Sequence, residues 1–104
     1  AVPEFPGMPP GVAEGVVVLP YNDLDRAEQI IRRHKDELAC VIMEAVSSSF
    51  GYVPGDAEFL HGIRELTGEL GILLVYDEVQ SFRVAPGGAR ANPLFECQVP
   101  TLNE

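Results

Sequence analysis

Three apolar runs in this 104-residue chain end in polar or acidic residues: VVVLPYND at 16–23, ACVIME at 39–44 and ILLVYDE at 72–78. A strand leaving a core normally surfaces into Gly, Asn or Ser, so Glu44 and the Asp77-Glu78 pair are the candidates for chemistry. Parallel α/β sheets bind ligands outside the carboxyl ends of their strands, and Tyr21-Asn22-Asp23, Glu44 and Asp77-Glu78 all fall at such ends. The plain alternatives are a turn-capping carboxylate at Asp77 and a buried acid paired with Arg83 at Glu44.

The elements that would position these acids are legible from periodicity. The three runs are short, unalternating and rich in β-branched residues, as strands covered on both faces are. Between the first two, Leu24, Ala27, Ile30 and Ile31 share a helical face behind an Asn22/Asp23 cap. Between the second and third, Phe59, Leu60, Ile63, Leu66 and Leu70 do the same, with Asp56 as cap and Gly71 as stop. The predicted order is β-α-β-α-β, with strands near 15–20, 39–44 and 72–77 and helices near 23–35 and 56–70. Such alternation makes a parallel α/β sheet with right-handed crossovers. Its core should hold Val17, Val18, Ile30, Ile31, Val41, Ile42, Leu60, Ile63, Leu66, Leu73, Leu74 and Val75. Residues 1–15 read as an irregular Pro/Gly-rich lead, 16–90 as the core and 91–104 as an irregular tail.

The composition, 46% hydrophobic, suits one domain. Sixteen acids against seven basic residues give a net charge of -9, which disfavours nucleic acid and anionic membrane as partners. No apolar run approaches a membrane span and no leader is evident, so a cytoplasmic protein is expected. Cys40 and Cys97 are too few for a disulfide scaffold. His61, Glu58 and Glu65 sit at helical spacing but lack a fourth ligand, so no metal site is expected.

An aliphatic strand closing on Asp-Glu also resembles the second nucleotide motif of P-loop ATPases. That reading needs G-x-x-x-x-G-K-[ST], which is absent, and the only lysine is Lys35 on the first helix. From Tyr21 to Arg90, the runs YNDL, CVIMEAV and GYVPGDAEFLHGIRELTGELGILLVYDEVQSFRVAPGGAR resemble the class III aminotransferases instead, and most closely their glutamate-1-semialdehyde aminomutase branch. The resemblance implies part of a fold-type I large domain and pyridoxal phosphate as cofactor in a full-length parent. It implies that Asp77 pairs with the pyridine nitrogen, Val79 packs on the ring face, Gln80 hydrogen-bonds the ring hydroxyl, and Glu44 lies on the substrate side.

The chain also departs from that pattern. Ser47-Ser48-Ser49 replaces a small-Gly-Asn segment, so Ser49 stands where an asparagine near the cofactor would be. Ala45 replaces a proline, and the glycine before Phe82 is missing, which shortens the loop after the acidic strand. The Schiff-base lysine implied by the resemblance would fall just past Glu104, and the phosphate cup is implied upstream. A chain without catalysis or bound cofactor of its own is therefore expected, as a fragment or truncated relative of such an enzyme. Two alternatives are one piece of a transaminase assembled from several chains and a repurposed α/β interaction module. The expected partner is the missing enzyme portion or further copies in a homo-oligomer, because the first and second strands of the resembled fold are separated by another strand whose place would stand empty.

Overall fold

A computed structural model describes residues 5–49 and 51–89. Its elements are helix α1 (Leu24–Arg33), strands β1 (Cys40–Glu44), β2 (Val46–Ser47) and β3 (Val53–Pro54), helix α2 (Ala57–Leu70), strand β4 (Leu73–Asp77) and a 3-10 turn at Phe82–Val84. The Asp23 carboxylate caps α1 by accepting from the Arg26 N–H at 3.1 Å. α1 ends at Arg33, two residues short of the expected limit, with His34 as its C-cap. Gly71, at φ 69°, ends α2 in the left-handed conformation that a residue without Cβ adopts freely.

β1 and β4 pair in parallel, with Cys40 beside Leu73, Ile42 beside Val75 and Glu44 beside Asp77. β2 and β3 form a short antiparallel hairpin between β1 and α2, which the periodicity did not foreshadow. Both helices pack on one face of the parallel pair. Ala27 and Ile31 of α1 and Phe59, Leu60, Ile63 and Leu66 of α2 join Val41 and Ile72 in the core, with Met43, Leu74 and Tyr76 packed against it. The helices meet closely at Gly62, where an added Cβ would collide with the Leu24 side chain.

The parallel α/β arrangement stands, and two expectations within it need correction. The first is burial on both faces. Ile42, Leu73 and Val75 are 66%, 68% and 42% exposed, and Val17 and Val18 are exposed too. Side chains alternate across a strand, so the neighbours of Val41 and Leu74 point away from the helices, and no described element covers them. Of the predicted set the core keeps Ile31, Val41, Leu60, Ile63 and Leu66, with Leu74 packed against it, and it gains Ala27, Phe59 and Ile72.

The second correction concerns the first strand. Residues 16–20 form no strand and join neither sheet among the described residues. They instead form one wall of an apolar slot of about 400 Å³ whose opposite wall is β1, with Ile31, Phe59 and Ile63 also lining it. An extended segment becomes a strand only through a neighbour's N–H and C=O groups, and here the slot lies between. The tail 91–104, with Cys97, lies outside the described residues. No helix among those described is long and apolar enough to cross a membrane.

Candidate functional site at the carboxyl end of the sheet

The register of β1 and β4 sets Glu44 and Asp77 side by side at the carboxyl edge of the sheet, on the face away from both helices. Each acid is then fixed by its own turn. Ser48 donates to the Glu44 carboxylate through its backbone N–H at 3.0 Å and through its hydroxyl at 3.0 Å. These local bonds take the place of the Arg83 partner weighed as an alternative, and Arg83 is exposed. A partner four residues away costs little chain entropy, which favours it over one from a distant loop.

Tyr21 and Asn22 tie this corner to the rest of the fold. The Tyr21 hydroxyl donates to the Glu44 carbonyl at 2.8 Å, and its ring leans on Phe59 with centroids 5.2 Å apart. Asn22, at φ 60°, donates to the Pro54 carbonyl at 3.1 Å and accepts from the Asp56 N–H at 2.8 Å. Asp56 occupies the N-cap position of α2 without a side-chain cap bond, so Asn22 satisfies the backbone amide there. The sequence placed Tyr21-Asn22 at a strand end but did not show what they hold.

Burial, followed by the nearby Glu44 and Asp56 charges, pushes the Tyr21 hydroxyl up from 10.0 to about 12. With the folded pKa above the unfolded one, the folded state holds its proton longer. Stability is therefore unaffected below the unfolded value and falls as pH rises from about 10 to about 12. Denaturant melts across that range should show the decline, and Tyr21→Phe should flatten it; an equal decline in both proteins would contradict the assignment.

Asp77 closes β4, and its Oδ1 accepts from the Val79 N–H at 3.0 Å. Among the described residues, only that oxygen is engaged. The chain turns at 79–81 instead of running on as a strand, so it is this Asx turn that keeps Val79 next to the carboxylate. Val79 is 79% exposed, and Gln80 and Ser49 are exposed as well. The structure thus brings Glu44 and Asp77 together, with Val79 and Gln80 in the turn beside them. Ser49 follows Ser48 in the turn after β2, and no hydrogen bond joins it to the other four among the described residues.

These groups fit one side of a pyridine ring: a carboxylate fixed in direction, an uncovered apolar side chain and an exposed amide. Lys35 does not belong to this end, because it follows α1 and precedes the opening residue of β1. At about 3.3 Å per residue, the five residues of β1 put its two ends about 13 Å apart. Among the described residues no three His, Cys, Asp or Glu are placed to hold a metal ion, so His61, Glu58 and Glu65 form no such group.

Residues 3–98 match the family model of class-III aminotransferases. The chain belongs to this family, whose members depend on pyridoxal phosphate. It is 44% identical over 91 residues to the glutamate-1-semialdehyde 2,1-aminomutase of Natranaerobius thermophilus, a match that covers 86% of this chain and 21% of that enzyme. Against the aminomutase of Persephonella marina the identity is 40% over 105 residues, covering all of this chain and 24% of the relative. The chain therefore spans about a fifth to a quarter of the length of these curated relatives. Among solved structures, an omega-transaminase from Sphaerobacter thermophilus superposes with a TM-score of 0.81 at 43% identity, over 86% of this chain and 20% of that one. A beta-phenylalanine aminotransferase from Variovorax paradoxus gives a TM-score of 0.68 at 43% identity, over 71% of this chain and 17% of that one. The helices on the β1–β4 sheet are thus those of a class III aminotransferase large domain of fold type I.

Proposed function

We propose that this chain forms the nitrogen-facing floor of a pyridoxal phosphate site in an aminotransferase or aminomutase, without catalysing the reaction by itself. The observation that supports this reading is the directed carboxylate of Asp77, paired in register with Glu44 and followed by the exposed Val79. When bound, the cofactor supplies an electron sink for charge developing on an amino substrate. In this role Asp77 holds a proton on the ring nitrogen, because a negative neighbour favours the cationic form. Val79 covers a ring face, Gln80 bonds the ring hydroxyl, Ser49 lies near the cofactor and Glu44 faces the substrate. The chain's lysine stands at the other end of the sheet, so the lysine that bonds the cofactor comes from elsewhere in the enzyme.

The test is a replacement. The 91 residues of this chain that align with the Natranaerobius thermophilus aminomutase, substituted for the matching segment of that enzyme, should leave an enzyme that purifies with pyridoxal phosphate and turns over an amino donor. A folded replacement enzyme that never takes up the cofactor would overturn the reading.

The partner proposed is the remainder of such an enzyme, with one extended strand filling the slot between 15–21 and β1. The slot is apolar, runs along all of β1 and is closed on its far side by a single chain segment, so it suits an inserted strand better than a second sheet edge. Without that strand, copies of the chain should associate through the same edge. Light scattering at high micromolar concentration should give more than a monomer mass, and a monomer that unfolds sharply would contradict this.

A further inference from the structure

We propose that Glu78 is a positioning residue, whose carboxylate clamps residues 78–89 into a closed loop and thereby sets where Val79 and Gln80 stand. The proposal rests on the reading above only for what those two side chains meet; the clamp itself stands on the geometry of the free chain.

Glu78 follows Asp77 in sequence, but its carboxylate is turned into its own loop. Oε2 accepts from the Ser81 hydroxyl at 2.9 Å and from the backbone N–H of Ala89, eleven residues on, at 2.8 Å. Its carbonyl accepts from the Phe82 N–H at 2.8 Å, so the backbone turns tightly where the side chain reaches across. The contact is buried at its far side: Ser81 is 4% exposed and Ala89 fully buried. Bonds to an ionised acceptor are the stronger kind, and this one spans a loop whose tip, Phe82–Val84, is exposed.

Gly88 makes the close approach possible. At φ 79° it adopts a backbone that favours glycine, and a Cβ there would run into the Glu78 carboxylate. Its N–H donates to the Ala85 carbonyl at 2.9 Å, so the turn before it is closed as well. The paired acids of this chain therefore divide the work. Asp77 fixes Val79 from one side through the Asx turn, and Glu78 holds the rest of the loop so that the turn cannot swing away. Val79 and Gln80 lie between the two anchors.

The test uses the whole chain, isotope-labelled and free of cofactor, with amide hydrogen exchange and amide resonances as readouts. Glu78→Ala should raise exchange at Ala89 and Phe82 about tenfold or more, as expected for losing a charge-assisted bond. It should also shift the Val79 and Gln80 resonances, while Leu60, Ile63 and Leu66 in α2 keep their protection. Glu78→Gln, which retains an acceptor oxygen, should return all of these towards wild type. Should Glu78→Ala fail to fold, Ser81→Ala removes a single bond and should shift the same two resonances. Unmoved Val79 and Gln80 signals, or loosening spread equally through α2, would overturn the clamp. Failure of the enzyme replacement would overturn the cofactor reading and leave these measurements to decide the clamp.

Discussion

Asp77→Ala, made in an aminomutase carrying the aligned segment of this chain, is expected to lower turnover about 10- to 10³-fold. A carboxylate beside a cationic group typically shifts its pKa by one to three units, and the loss of that shift reduces the protonated fraction of the ring nitrogen by the corresponding factor. The geometry makes Asp77 hard to replace. Its carboxylate is aimed by the Val79 N–H at 3.0 Å, and Glu44 beside it is already occupied by Ser48. Asp77→Asn keeps the turn but not the charge, and should fall nearly as far. Steady-state rates for the three proteins check this, and an Asp77→Ala enzyme within a factor of two of its parent would contradict it.

Ile63→Ala should cost about 2–5 kcal/mol of stability. Ile63 is 1% exposed on α2, where it packs among Ile31, Leu60, Val41 and Phe59. A small domain has about 5–15 kcal/mol in all, so the variant should be largely unfolded in mild denaturant. Leu73→Ala, at 68% exposure on the open face, should cost under about 1 kcal/mol in the same melts. Similar losses from both substitutions would mean that the open face is covered in solution.

The contrast between these two residues shows what the sequence could and could not reveal. Helices were legible because their ends carry chemistry: the Asp23 side chain and Gly71 at φ 69° stop the pattern where the spacing said they would. The parallel strands were legible because runs such as ILLVYDE are too short and too β-branched for helices. Which face of each strand would be covered was not legible. A uniformly apolar run looks the same whether one or both of its sides meet a partner. Val16–Leu19 shows the same difficulty, since its strand-like composition depends on a neighbour to supply hydrogen bonds.

At the site, the acids themselves were visible as charges ending apolar strands, and their register followed from parallel pairing. The residues that hold them were less visible. Ser48 lies four residues from Glu44, a spacing at which a local hydrogen bond outcompetes a partner as distant in sequence as Arg83. The Ala89 N–H reaches Glu78 only because Gly88 lets the backbone close in, and nothing in local spacing signals that contact. Tyr21 and Asn22 join the β1 corner to α2 across more than twenty residues, which no short-range pattern encodes.

In the proposed site Asp77 faces the ring nitrogen of pyridoxal phosphate. The most direct measurement is a ¹⁵N NMR titration of the ring-labelled cofactor bound to the replacement enzyme, with and without Asp77→Ala. The ring nitrogen should stay protonated through neutral pH with Asp77 present and lose its proton about one to three pH units earlier without it. An identical titration in the two proteins would contradict that pairing.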